Sequence, residues 1–362
     1  MSGVRPIAAH RPKPGKDSPP ATGHRRRLRY RGKNPRRFAE KYKEHDPARY
    51  AATIAKVIAA GKTPAGSHRP IMVAEILEVL APRPGEVAID CTLGYGGHAE
   101  AILPRLQPGG RLLGLDADPI ELPKTEARLR SLGFDPGMFV AHRTNFAGLP
   151  QALAHAGIDG ADIILADLGV SSMQLDDPTR GFSVKHDGPL DLRMNPQRGQ
   201  PASVFLEKIH PDKLVRLLLE NADEPHAATL APALAGKLLP GTGSLAAAIR
   251  AALPRVDTEA AELSVRRVFQ ALRIAVNDEF SALDTFLRHL PSCLRPGGRV
   301  AILTFHSGED RRVKKAFAAG LRDGSYSNVA EEVIRPTAAE RRSNPRSTSA
   351  KLRWARRALC SS

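Results

Sequence analysis

From residue 68 onward, short apolar runs alternate with stretches whose apolar positions recur about every three or four residues, the periodic difference that separates strands from amphipathic helices. The runs predict strands near 87–91, 111–116, 138–142, 162–167 and 299–304. The stretches "PIMVAEILEVLA", "HAEAILPRL", "IELPKTEARLRSL", "FAGLPQALAHA" and "FQALRIAVNDEFSALDTFLRHL" predict the helices that accompany them. Alternation of the two with short turns specifies an α/β fold, a parallel sheet covered on both faces. The turn in "LRPGGRVAILTF" leads into the last parallel strand.

The spacing fails in one place. Between the fourth strand and the helix starting near 266 lie roughly a hundred residues, where a βα loop uses about two to six. Helical patterns at "DKLVRLLLENA", "AATLAPALAGKLL" and "GSLAAAIRAAL", broken by prolines and glycines, predict an inserted helical domain over 178–263, which serves substrate recognition beside the sheet edge or else forms a purely structural cap. The core is then made of 63–177 and 264–358, preceded by a basic extension over 1–62.

The first strand runs into "DCTLGYGGHAEAIL", where Gly94, Gly96 and Ala99 fit the loosened dinucleotide pattern G-x-G-x-x-A. Asp116, at the end of the second strand, suits the ribose hydroxyls of an adenosine, whether in a dinucleotide or in S-adenosylmethionine. Asn145 and Phe146 follow the third strand, where a ring can cover an adenine. Asp167 ends the fourth strand, beside the reactive end of such a cofactor. A carboxylate there suits a sulfonium and an amino acid zwitterion and suits a pyrophosphate poorly, which favours S-adenosylmethionine over NAD.

The net charge of +16 is concentrated: residues 1–45 hold fourteen Lys or Arg against three acids. With Tyr30, Phe38 and Tyr42 interspersed, the segment suits a polyanion, or else serves as a solvated tail. A second basic cluster, "RPTAAERRSNPRSTSAKLRWARR", lies near the C-terminus. No apolar run approaches the roughly 20 residues of a membrane span, and the N-terminus lacks the apolar centre of a secretion signal, so a cytoplasmic protein without a membrane partner is expected. Three dispersed cysteines, Cys91, Cys293 and Cys360, suggest neither a disulfide framework nor a zinc site.

"HRPIMVAEIL", "DCTLGYGGHAEAIL", "DLGVSSMQLDDPTRGFSVKHDGPLDLRM", "VFQALRIAVNDEF", "PGGRVAILTFHSGEDRRVKKAF" and "NPRSTSAKLRWA" together resemble the MraW (RsmH) family, over roughly residues 68–357. The resemblance implies a class I S-adenosylmethionine-dependent methyltransferase (Rossmann-like) sheet with an inserted small helical domain. It implies methylation of the exocyclic N4 amine of a cytosine in the decoding region of 16S ribosomal RNA, with that RNA or the small ribosomal subunit as partner; a homodimer is compatible with it. Matched by motif, the implied cofactor contacts are Gly96, Gly97, His98, Asp116, Phe146, Asp167 and Gln174. "ENADEPHA" and "LSVRRVFQA" depart from the family pattern in the insertion and before the last long helix.

An exocyclic amine is a weak nucleophile because its lone pair is delocalised into the ring, so an acceptor must orient its N–H. Asp167 is the candidate, with Ser171, Ser172 and Asp191 lining the target pocket. Methylation at carbon 5 would instead need a cysteine beside the fourth strand, and none is there. His98 reads as a helix-start cap or a contact to the methionine moiety rather than a proton acceptor. His306 and Asp310 follow the last parallel strand, facing substrate or, for Asp310, pairing with Arg311 or Lys314. His186, Asp187 and Asp191 sit in a loop shaped by Gly188 and Pro189, which argues against a metal site. The alternatives from other classes are a non-catalytic ribosome-assembly factor, suggested by the basic segments, and an NAD-dependent oxidoreductase, suggested by the glycine pattern alone.

Overall fold

The computed structural model describes residues 70–359 apart from Ser172, Met173 and Asp176. The basic extension over 1–62, with Tyr30, Phe38 and Tyr42, lies outside the described residues, as does Cys360. Helix α1 (Val73–Leu80) leads into β1 (Val87–Asp90), α2 (Gly97–Ile102), β2 (Arg111–Asp116), α3 (Glu121–Ser131), β3 (Phe139–Arg143), α4 (Leu149–His155) and β4 (Ala161–Asp167). Five helices follow: α5 (Ala202–Lys208), α6 (Pro211–Ala222), α7 (Ala227–Leu234), α8 (Thr242–Ala252) and α9 (Thr258–Val276). The chain then returns through α10 (Glu279–Cys293), β5 (Leu294–Thr304), α11 (Ser307–Arg322), β6 (Tyr326–Val329), α12 (Ala338–Ser343) and β7 (Lys351–Arg357).

The seven strands lie in the order β3-β2-β1-β4-β5-β7-β6, with β7 antiparallel to both neighbours and β1 to β5 parallel. Period-2 alternation sends successive side chains to two separate cores. Ala88, Ile163, Leu165, Ala301 and Leu303 join the core under α1, α2 and α3. Val87, Ile89, Ile164, Ala166, Val300 and Ile302 join the one under α4, α10 and α11. The chain leaves β1 toward β2 on one side and reaches β4 on the other, so the topological switch point lies between β1 and β4. A ligand cleft is expected at the C-terminal ends of these strands.

The helices after β4 have a core of their own, running from Phe182 to Leu272. Helix α9 supplies Val265, Val268, Phe269, Ala271 and Leu272 to it. A division at 263/264 therefore passes through the interior of a continuous helix, capped at its start by Asp257, whose Oδ1 accepts the Ala260 N–H at 2.9 Å. The single helix predicted for "FQALRIAVNDEFSALDTFLRHL" is two, because Asp278 adopts a left-handed backbone (φ 50°). The break is useful: Asn277 accepts the Met194 N–H at 2.7 Å and donates to Leu192 O at 2.8 Å, fastening the loop that enters the helical unit. Likewise "HAEAILPRL" is a short helix followed by a 3-10 turn, Leu103–Leu106, which Pro104 starts.

The second basic cluster is built in part into the sheet. "KLRWARR" is strand β7, placed between β5 and β6, and Arg353 on it is buried. Its guanidinium Nε lies 2.7 Å from Asp310 Oδ1, and Lys351 Nζ lies 3.1 Å from Oδ2. Asp310 thus pairs with β7 rather than with Arg311 or Lys314, and ties α11 to the sheet. Among the described residues, no helix is long and apolar enough to cross a membrane. Asp310→Ala leaves Arg353 buried without its counter-charge and is expected to lower unfolding free energy by about 3–5 kcal/mol in denaturant titration, with S-adenosylmethionine affinity unchanged by calorimetry.

Candidate active site

Chain geometry brings three carboxyls to neighbouring strand ends: Asp90 on β1, Asp116 on β2 and Asp167 on β4. Between β1 and α2 the chain turns through Gly94 (φ 49°) and Gly96 (φ 79°), both left-handed. A Cβ on Gly96 would stand 3.0 Å from Thr125 Cγ2, and one on Gly97 would stand 2.9 Å from Pro70 Cγ. The turn is thus closed between α3 and the segment before α1, which leaves its remaining side facing the cleft. Asp116 holds it there, Oδ2 accepting the Gly94 N–H at 2.7 Å and Oδ1 the Asp118 N–H at 2.8 Å. Each oxygen retains a further lone pair for a ribose hydroxyl.

Burial dominates the electrostatics of these acids. It pushes Asp90 and Asp116 up from 3.8 to about 6. Burial, with the Glu309 charge nearby, pushes Asp167 up to about 7. Asp167 Oδ1 and Glu121 Oε2 are buried without a hydrogen-bond partner. Such acceptors fit a ligand carrying an ammonium and a sulfonium and would repel a pyrophosphate. Asp116, Asp167, Glu121, His98 and, from the turn, Gly94, Tyr95 and Gly97 line one cleft, while Gly96 packs toward α3; the residues present fit S-adenosylmethionine.

His98 does not cap α2, whose N-cap is Gly96 and which has no side-chain cap. It is buried, its Nε2 lying 2.9 Å from Ile71 O and its Nδ1 3.7 Å from Asp167 Oδ2. Burial lowers its pKa, so the resting imidazole is neutral. Phe146 starts a 3-10 turn, lines the cleft and packs edge-on against Phe286 on α10 at 5.6 Å between centroids. Gln174 and Ser171 also line the cleft and fasten one another, the Ser171 N–H donating to Gln174 Oε1 at 3.0 Å and the Gln174 N–H to Ser171 Oγ at 3.2 Å.

Asp191 stands apart from this group. Both of its oxygens pair with Arg193 at 2.7 Å, and it is not among the residues lining the cleft. Ser172 lies outside the described residues. Asp187 caps the start of α8, accepting the Gly243 N–H at 2.8 Å. Among the described residues, no cluster of His, Cys, Asp and Glu could hold a metal ion.

Sequence reasoning missed Asp118. Buried in "DADP", it accepts from Gln174 Nε2 and from Arg180 Nη1, both at 2.8 Å. Arg180 Nη2 also donates to Met194 O at 2.9 Å, so one acid joins the cofactor turn to the entrance of the helical unit. The second Asp two residues after Asp116 was the only available signal. Across the cleft, His306 Nε2 lies 3.1 Å from Glu309 Oε1, and Arg273 pairs with Glu279 at 2.8 Å. Burial opposes ionisation of Glu309, yet the adjacent His306 imidazole, the Arg273 charge and the Phe305 N–H bond hold it below the usual carboxylate range.

The cleft measures about 1740 Å³, beyond the roughly 300–1,000 Å³ of a single small-molecule site. It is walled by the sheet ends on one side and by α9, α10 and the loop at 194–199 on the other. Residues 65–358 match the family model described as the MraW methylase family. The chain belongs to the MraW methylase family. As a member, the protein is an S-adenosylmethionine-dependent methyltransferase with a Rossmann-like sheet. It is similar to "Ribosomal RNA small subunit methyltransferase H 1" of Lachnoclostridium phytofermentans, 49% identical and covering 92% of this chain and 93% of that protein. A second relative, "Ribosomal RNA small subunit methyltransferase H 2" of Alkaliphilus metalliredigens, is 49% identical over 91% of this chain and 97% of that protein. Both alignments leave fewer residues unmatched than the extension contains, so part of 1–62 is shared with these MraW relatives. Among solved structures, TrmN from Thermus thermophilus superposes at a TM-score of 0.38 and 14% identity, covering 79% of this chain and 48% of that one.

The raised acids give a signed prediction. In the unfolded chain Asp167 ionises at its ordinary 3.8, while the fold keeps its proton to about 7, so stability relative to the fully ionised state is present below 3.8 and is lost as pH rises through about 7. A cationic ligand requires the ionised form. S-adenosylmethionine affinity in this MraW methylase should therefore rise with pH through about 6 to 7 and level above, with proton release on binding below that range, and Asp167→Asn should flatten the upper part of the rise. Calorimetry in buffers of different ionisation enthalpy checks both.

Proposed function

We propose that the protein methylates the exocyclic N4 amine of a cytosine in the decoding region of 16S ribosomal RNA. The observation that carries this reading is the unpartnered, buried Asp167 Oδ1 at the end of β4, in a cleft too large for the cofactor alone. The relatives named as small-subunit ribosomal RNA methyltransferases support the RNA as substrate. A nucleotide reaches such a cleft extruded or single-stranded, because the amine of a paired base is committed to its partner.

Gly96, Gly97, Asp116, Gln174 and Phe146 hold the cofactor in this reading, the glycines by close backbone approach, Asp116 at the ribose and Phe146 at the adenine. S-adenosylmethionine, when bound, supplies an electrophilic methyl group on a sulfonium. Asp167 accepts one N4–H, turning the nitrogen lone pair out of conjugation and toward the methyl group, and Ser171 shapes the adjoining pocket. Most of the acceleration comes from alignment, which is worth about 7–11 kcal/mol in favourable cases. Among the described residues carbon-5 chemistry lacks a ready nucleophile: Cys91 lines the cleft, but burial holds its thiol well above its ordinary value, and Cys293 belongs to the core beneath α10.

Nucleoside mass analysis of 16S RNA treated with the enzyme and S-adenosylmethionine should show N4-methylcytidine; a base methylated elsewhere contradicts the proposal. Asp167→Asn keeps the volume of the side chain and removes its charge. Single-turnover methyl transfer should fall about 100-fold or more while RNA binding changes little.

A further inference from the structure

We propose that His98 is a positioning residue that shares the proton of Asp167, so that a proton leaving the target amine is held between the Asp167 carboxyl and the His98 imidazole. This rests on the reading of an amine acceptor in the cleft. The two oxygens of Asp167 have different surroundings: Oδ1 has no partner, and Oδ2 lies 3.7 Å from His98 Nδ1. The tautomer of His98 follows from its other nitrogen. Ile71 O can only accept, so Nε2, 2.9 Å away, carries the hydrogen and Nδ1 presents its lone pair to Asp167. The Nδ1 to Oδ2 separation is about half an ångström beyond hydrogen-bond range, the kind of gap that closes when a site fills.

The N4 lone pair forms the N–C bond while the C–S bond breaks, its electron pair staying on sulfur as a neutral thioether. The positive charge on nitrogen is relieved when one N–H proton passes to Asp167 Oδ1. Rotation of the Asp167 carboxyl about its Cβ–Cγ bond carries that same proton round to face His98 Nδ1, which takes it, and the carboxylate is regenerated. The charges facing the pair are Asp90 from β1, with Asp116 beyond it, Glu309 from α11, and Glu340 from α12, whose Oε1 accepts the Met72 N–H at 2.9 Å. All are carboxyls, so the imidazolium that forms is surrounded by negative potential, while burial keeps the resting imidazole neutral. Helix α2 and its glycine turn place His98 beside the carboxyl in the wall of the cleft, with 6% of its surface exposed.

Two variants separate the roles. His98→Gln places its amide where Nε2 stood and keeps a donor for Ile71 O; His98→Asn places an amide oxygen near the position of Nδ1 that cannot take the proton. In both, S-adenosylhomocysteine affinity should stay within a few-fold of wild type, and saturating single-turnover methyl transfer should fall at least about 10-fold. The acid limb of the rate profile should also move to lower pH, because the pair has lost one of its two proton sites. A lowered plateau with an unmoved limb marks a merely structural residue and overturns the proposal. So does weakened S-adenosylhomocysteine binding with an unchanged saturating rate, which assigns His98 to the cofactor. The wild-type protein gives a reading independent of variant folding: the His98 Nδ1 nitrogen-15 shift should titrate together with Asp167, and a shift insensitive to pH between about 5 and 9 overturns the proposal. Wild-type enzyme that yields no methylated amine removes the underlying reading itself, an outcome distinct from active wild type with indifferent variants.

Discussion

Holding carboxylates out of water at the ends of adjacent parallel strands is the constraint on which this site depends. Asp90, Asp116 and Asp167 come together because β1, β2 and β4 are hydrogen-bonded neighbours whose chain directions agree. An ionised carboxylate buried without a counter-charge is costly, and a protein usually pairs it or lets it keep its proton. Here the pairing is left incomplete. Asp116 has only backbone donors, and Asp167 has an imidazole lone pair on one oxygen and nothing on the other. The charge that would satisfy them is that of a cationic ligand, so the same burial that raises their proton affinity gives the cleft its preference for a sulfonium and an ammonium.

Three largely buried arginines of the described chain are held by other acids. Arg180 is spent on Asp118, Arg273 on Glu279, and Arg353 on Asp310. Each of these pairs also joins two parts of the chain: the turn after β2 to the loop after β4, α9 to α10, and β7 to α11. Asp118, Arg273 and Glu279 of the first two pairs stand in the cleft wall, while Arg353 and Asp310 hold α11 to the sheet and Asp116 and Asp167 face the cleft interior. Asn277 extends the same logic by breaking one long helical pattern to bind the loop at 192–194.

The five parallel strands were legible because each is an apolar run with turn residues at its ends, and the acids that close β1, β2 and β4 could be read directly from them. Strand β7 was hidden because "KLRWARR" carries its charges on a strand that is stabilised by distant partners, Asp310 and β5, which local pattern cannot show. The same limit applied to Asp118, whose importance comes from Gln174 and Arg180, more than fifty residues away in sequence. Asp191 misled for the converse reason. A carboxylate in a loop rich in polar residues resembles a site residue until its two bonds to a near neighbour, Arg193, are seen. His98 was recognisable as part of the glycine turn, but its orientation is set by Ile71 O, a backbone atom that no side-chain motif records.

The central claim is that Asp167 keeps a proton in the ligand-free protein and gives it up to a cationic ligand. Infrared difference spectroscopy near pH 6, comparing wild type with Asp167→Asn, tests it directly through the carbonyl stretch of a protonated carboxyl, since Asp167 ionises at about 7. The account predicts such a band in the wild type, absent from the variant and lost when S-adenosylmethionine is added. A wild-type spectrum without that band, or one in which it persists after binding, would contradict it.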